Sequence, residues 1–273
     1  DKTGTLTCNV MDFRKCSING VAYGRGVTEI GKAALMMQGK EPSREDAEAN
    51  QKAQEMNVPH VTFYDPAMAE ALQGRHGEAQ RLKILDFFRI LGICHSVIPE
   101  KVDGEIQLSA SSPDDEALVY AAAHFGFTFK DRQEGSAIVQ EPSGLVKYDV
   151  LELLDFTSSR KRMSVIVRMA DGHIKIMTKG ADSIMIPRLR AGQDALLAQT
   201  EAHMNHYATE GLRCLVIGYN DLSEDEYNAW YARYREAVTS IEQIERRKDG
   251  LPNDIDELMS QIEQNLTIVG ATA

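Results

Sequence analysis

Apolar and polar positions change period several times along the 273-residue chain, and each change marks an element. Residues 10–24 alternate partly around Asn19-Gly20, a dipeptide suited to a two-residue turn, and predict a β-hairpin. From about Gln38 to Val58 the apolar residues give way to Lys, Glu, Ser, Asp and Gln. That stretch predicts a mobile loop or a solvated helix, a polar insertion covering residues 38–60. Phe63-Tyr64-Asp65-Pro66 opens a helix over Ala67 to Leu72, with proline in the first turn, where its missing N–H costs nothing. Leu82, Leu85, Phe88, Leu91 and Ile93 recur at helical spacing within residues 78–98. Ser112-Pro113-Asp114-Asp115-Glu116 starts a further helix, with a capping residue, an early proline and acids at the positive end of the peptide dipoles.

In the second half the period shortens. Val146 to Leu154, Met163 to Met169 and His173 to Thr178 predict strands, the last two joined as a hairpin through Ala170-Asp171-Gly172. A short helix is expected after Lys179-Gly180-Ala181-Asp182, a longer one over Leu196 to Glu210, and then a strand from Cys214 to Tyr219. Ser223-Glu224-Asp225-Glu226 has capping-box spacing and opens a long charged helix carrying Trp230, Tyr231 and Tyr234. Strands and helices are mixed without a repeat, which predicts an α/β (α+β) chain of one large or two small domains.

Composition narrows the partners. Hydrophobic residues make up 43% of the chain, enough for a sizeable core, and the formal net charge of -11 argues against a nucleic-acid backbone as partner. The four cysteines Cys8, Cys16, Cys94 and Cys214 lie far apart, with no C-x-x-C pair, so reduced thiols are expected. No run approaches the roughly 18 apolar residues that a membrane-spanning helix needs.

The candidate chemistry is concentrated in short motifs. Asp1-Lys2-Thr3-Gly4-Thr5-Leu6-Thr7 places a carboxylate before a hydroxyl-rich, glycine-containing turn, which can bring an aspartate oxygen in line with a phosphoryl group. Lys179 leaves a strand at Lys179-Gly180-Ala181-Asp182, where an ammonium can meet a phosphate as a compact charge. Phe156 follows a strand and precedes the basic turn Arg160-Lys161-Arg162, and its face can stack on a purine. Arg213 stands at a helix-to-strand turn, where a guanidinium can grip phosphate or ribose oxygens. Each has an ordinary alternative taken singly: a solvated lysine, a core phenylalanine, a solvated arginine, and, for Asp114-Asp115-Glu116, acids that merely complement a helix dipole.

Taken in order, DKTGTLT, SPDDEALV, DFTSSRKRMSV, KGAD and EGLRCL resemble one nucleotide-binding domain of the P-type ATPases over nearly the whole chain. FRKCSINGVAYG, RKRMSVIVR, KGAD and NLTIVGATA resemble most the type IV branch, the phospholipid flippases. The resemblance implies a mixed, mainly antiparallel sheet flanked by helices, on the cytosolic face of a membrane. It implies that residues 1–9 edge the phosphorylation domain, 10–264 form the nucleotide-binding domain, and 265–273 return to the phosphorylation domain, as in a piece of a longer polypeptide.

By the same resemblance Asp1 takes the γ-phosphoryl of ATP, Lys2 and Thr3 line that phosphate, and Asp1 and Thr3 serve Mg²⁺. Phe156 stacks on adenine, Lys179 lies deep in the nucleotide pocket, and Arg213 lies near the phosphates or ribose. Where the family reads SPDE and then a small residue, this chain has Asp115 and then Glu116. The pocket acid is therefore either a shortened side chain at Asp115 or has moved to Glu116. The implied partners are ATP and, through a membrane domain, a phospholipid, with an accessory subunit left open. The competing readings are a non-catalytic ATP-binding regulatory module and a haloacid-dehalogenase-type phosphatase. The latter uses a second aspartate two residues after its nucleophile, where this chain has Thr3.

Overall fold

The segments RMSVIVR (Arg162–Arg168) and IKIMTKG (Ile174–Gly180) are buried along nearly their whole length. Strands bury both sets of alternating side chains only when both faces of their sheet are covered, and this constraint organises the molecule. The computed structural model describes residues 10–102, 105–110, 112–133 and 135–273. In chain order the strands are β1 (Cys16–Ile18), β2 (Val21–Tyr23), β3 (Ile98–Val102), β4 (Glu105–Ser109), β5 (Thr128–Gln133), β6 (Ser136–Glu141), β7 (Gly144–Leu154), β8 (Arg162–Arg168), β9 (Ile174–Gly180), β10 (Leu215–Leu222) and β11 (Thr267–Thr272). The helices are α1 (Glu29–Met37), α2 (Arg44–Glu55), α3 (Pro66–Leu72), α4 (Glu78–Ile93), α5 (Pro113–His124), α6 (Asp182–Met185), α7 (Asp194–Thr209), α8 (Glu224–Thr239), α9 (Ile241–Lys248) and α10 (Asp254–Ile262).

Among the described residues the main sheet has nine strands in the order β2-β1-β11-β10-β9-β8-β7-β6-β5, with β3 and β4 forming a separate two-stranded ribbon. Every strand pairing is antiparallel, and parallel pairing is confined to the isolated bridges Phe13↔Val61 and Leu189↔Leu266. On one face Phe87, Phe88 and Leu91 of α4 and Val119 of α5 pack with Val165, Val167, Met177 and Ile217. On the other, Trp230 and Tyr234 of α8 and Leu258 and Met259 of α10 pack with Ile166, Ile176, Val216 and Ile268. Trp230 donates its indole N–H to the Leu258 carbonyl at 2.8 Å, which ties α8 to α10 while keeping the polar atom paired.

The predicted hairpin is present: Asn19 and Gly20 both have positive φ, 50° and 78°, as a type I′ turn requires. Of the two alternatives for the polar segment after Gln38, the helix is found. Ser43 and Asp46 form a reciprocal capping box that starts α2. The long charged helix expected after Ser223 is found as α8, opened by the Ser223–Glu226 capping box and carrying Trp230, Tyr231 and Tyr234; it ends where Ser240 leaves helical geometry and caps a new helix, α9. The helix within 78–98 ends at Ile93, with Leu82 on its exposed side. Strand β5 lacked a readable pattern, since a bulge between Phe129 and Asp131 breaks its alternation. The sheet also continues through the segment where a boundary was expected at 265, since β11 lies between β1 and β10.

At the crowded centre of β11, Gly270 faces Ile18 on one side and Ile217 on the other. A Cβ there would lie 1.9 Å from the Ser17 carbonyl oxygen, so strand β1 would have to move. Gly270→Ala is therefore expected to destabilise the fold by about 1–3 kcal/mol, as overpacking against backbone does, read from urea unfolding midpoints.

Candidate functional site

Four elements end at one cavity of about 590 Å³. β9 delivers Lys179 near its C-terminal end, the turn after β7 delivers Asp155 and Phe156, the approach to β10 delivers Arg213, and the first turn of α5 delivers Asp114 and Asp115. The position after Lys179 must be small, because a Cβ on Gly180 would sit 2.6 Å from Arg162 Cβ on the neighbouring strand. Phe156 is 54% exposed, an unusual state for a large aromatic, and it lines the cavity with Met163 and Leu215.

Opposite the aromatic wall, Lys179 is only 4% exposed and its Nζ lies 2.7 Å from Asp115 Oδ1. The contact is a close ion pair, and an ammonium carries three N–H groups, so two of them stay available for a further acceptor. Asp115 Oδ2 accepts the Ser96 backbone N–H at 3.2 Å. Burial opposes ionisation of Asp115, but the Lys179 charge and the Ser96 N–H outweigh it and hold the carboxyl below its ordinary range. Burial, reinforced by Lys179 and Arg132, pushes the His95 imidazole down to about 3. The ring is therefore neutral at pH 7: Nδ1 accepts from Val97 N–H and Nε2 donates to the Gly92 carbonyl, both at 3.1 Å. The neighbouring Cys94 thiol is pushed up to about 12 by burial and is no nucleophile. At the cavity mouth Arg213 Nη1 pairs with Asp114 Oδ2 at 2.9 Å while staying 60% exposed along its side chain.

Beneath the Phe156 turn lies a buried polar network. Glu263, at the C-terminal end of α10, receives Arg160 Nη2 and Ser164 Oγ on Oε1, the latter at 2.6 Å, and Arg162 Nε on Oε2 at 2.6 Å. Arg160 Nη1 reaches back to donate to the Asp155 carbonyl. The basic turn seen in the sequence thus points two of its three charges inward, Arg160 and Arg162, while Lys161 stays exposed.

This arrangement of aromatic wall, buried lysine and paired acid belongs to a stretch with close relatives. Residues 83–273 match the family model described as P-type ATPase, cytoplasmic domain N. The chain belongs to the P-type ATPases. It is 41% identical over 274 residues to Phospholipid-transporting ATPase ID of Homo sapiens, an alignment covering 100% of this chain and 21% of that protein. Probable phospholipid-transporting ATPase 12 of Arabidopsis thaliana is 41% identical over 290 residues, covering 100% of this chain and 23% of that protein. Phospholipid-transporting ATPase dnf2 of Schizosaccharomyces pombe is 36% identical over 291 residues, covering 100% and 20%. The chain therefore spans about a fifth of the length of these relatives.

Within this P-type ATPase domain the cavity gathers Asp115, Phe156, Lys179 and Arg213, which are far apart in sequence. Glu116 is not among its lining residues: it lies one position further around α5 and faces His60, Oε1 to Nε2 3.4 Å. Asp1, Lys2 and Thr3 lie outside the described residues. Sequence reasoning had passed over Ser96, His95 and Glu263. Nothing marked the first two, which are single residues at the exit of α4, and Glu263 sat unremarked behind a helix that had not been recognised.

Replacing Asp115 by Asn removes the partner of a buried ammonium, a loss of about 3 kcal/mol at pH 7. The wild-type contribution is complete above the ordinary carboxyl value of 3.8 and fades as pH falls through the lower value in the folded state. The stability gap between wild type and Asp115→Asn, followed by urea unfolding, should accordingly narrow as the pH is taken from 7 to below 3.8.

Proposed function

We propose that the cavity holds the adenosine end of ATP, with the purine stacked on Phe156 and the buried Lys179 turned toward the nucleotide's electron-rich groups. The observation that carries this reading is the pairing of a half-exposed aromatic wall with a buried, incompletely bonded ammonium across about 590 Å³. That volume is of the order expected for a small-molecule site. Arg213, already at the mouth, is the group for ribose or phosphate oxygens, and releasing Asp114 would free its second face. Of the two acids, Asp115 is the pocket carboxylate on this reading, because Glu116 is engaged with His60.

In the longer protein, we infer, ATP held here is presented to Asp1, which takes the γ-phosphoryl group with Lys2 and Thr3 beside it. Mg²⁺ would be met by Asp1 and Thr3, and its chemistry there is to neutralise the phosphate charge as the bond to the leaving diphosphate breaks. The names of the relatives support a phospholipid as the substrate class, and on this reading it moves across a membrane toward the cytosolic leaflet with this domain on the cytosolic side. On this reading the 273-residue chain binds ATP and turns none over.

Phe156→Ala should weaken ATP binding about tenfold, within the range that base–aromatic stacking supplies, as read by isothermal titration. Unchanged affinity would remove adenine from Phe156. In the longer protein, Asp1→Asn should abolish the hydroxylamine-sensitive phosphoenzyme formed from labelled ATP, and label persisting in that variant would exclude Asp1 as the nucleophile.

A further inference from the structure

Phe156 stands on the turn between β7 and β8 with half its surface free, so its ring is placed by what holds its neighbours. The residue before it is gripped twice. Asp155 accepts Arg160 Nη1 on its backbone carbonyl and Arg247 Nη2 on its carboxylate, the latter at 2.9 Å. Arg247 belongs to α9, is absent from the cavity wall, and spends its Nε on Asp256 of α10, also at 2.9 Å. Its planar fork therefore spans two carboxylates, one on a helix and one on the loop that carries the aromatic.

An ion pair whose carboxylate is 53% exposed contributes little to global stability, so this contact is poorly explained as a fold-stabilising one. Its geometric effect is larger. Arg160 fixes the backbone of Asp155 from the buried side, and Arg247 fixes its side chain from the α9–α10 side. Together they remove the rotational freedom of the peptide that leads into Phe156. We propose that Arg247 is a positioning residue for the nucleotide site, holding the Phe156 turn in the stacking-competent orientation through Asp155 without touching the ligand. The inference rests on the adenine reading above.

The test uses the 273-residue chain, with Arg247→Ala, Phe156→Ala and the double variant, titrated with ATP and separately with tripolyphosphate, which has no ring to stack. Arg247→Ala should weaken ATP about fivefold, a part of what loss of the ring itself costs, and leave tripolyphosphate affinity unchanged. Arg247→Lys, which keeps the charge but reaches one carboxylate at a time, should recover part of the loss. In the Phe156→Ala background, Arg247→Ala should add nothing, because there is no ring left to orient. Equal weakening of both ligands, or ATP affinity unchanged by Arg247→Ala while Phe156→Ala weakens it, would overturn the positioning role. A Phe156→Ala variant that bound ATP as the wild type does would instead overturn the adenine reading beneath it, and this inference with it.

Discussion

One fully buried carboxylate, Glu263, sets the terms for the sheet, the helical layer and the candidate site together. A charge removed from water is tolerated only when its lone pairs are filled by well-placed donors. Glu263 meets that demand with Arg160, Arg162 and Ser164, all on or just before β8. The same contacts pin the end of α10 to the sheet, and Ser164 continues the chain of bonds to Thr178 on β9 at 2.9 Å. From Thr178 the next residue is Lys179. The supports of the aromatic wall and of the cationic wall of the cavity are therefore one hydrogen-bonded unit, and the distance between them is set by the ladder spacing of two neighbouring strands.

The cavity itself balances two opposed environments. Met163, Leu215 and Phe156 give it an apolar side, while its charged lining is Lys179, Arg213, Asp114, Asp115 and Asp155, three acids and two bases. Each base is matched to an acid on the first turn of α5, where the exposed N–H groups also favour negative charge. The remaining acid, Asp155, is paired from outside the wall by Arg247, so the charges around the cavity balance although the chain carries -11 overall. Strong long-range attraction of an anionic ligand is not built into this chain, and recognition falls to short-range contacts within the pocket.

Much of this was legible in the sequence, for reasons that can be traced to particular residues. The caps at Asp65 and Ser223, the proline that starts α5 at Pro113 and the turn at Asn19-Gly20 declare local geometry that tertiary packing did not need to override. Phe156, Lys179, Arg213 and Asp115, which the structure brings to one cavity, each sit at the end of an element in a motif with a recognisable order. Choosing between Asp115 and Glu116 required coordinates: adjacent helical residues point about 100° apart, and only the packing of α5 says which one faces Lys179. Arg160 and Arg162 read only as part of a basic turn, because nothing local announces a carboxylate a hundred residues later. Strand β5 escaped because a bulge and an edge position erase the alternation on which strand reading depends.

The placement of β11 has a further consequence for how the chain reaches this state. The β1–β2 hairpin comes early in the sequence, yet its neighbour in the sheet is a strand some 250 residues later, and β11 in turn separates it from β10. The strands from β5 to β9 follow one another as local meanders and can pair as soon as they exist. The hairpin cannot: it has no edge to join until residues 267–272 have docked on β10. Joining the hairpin to the sheet therefore needs the longest-range strand pairing among the described residues, and without β11 both the hairpin and the open side of β10 would present unpaired backbone. β11 acts as the keystone of this sheet, joining an early hairpin to strands that lie far from it in sequence.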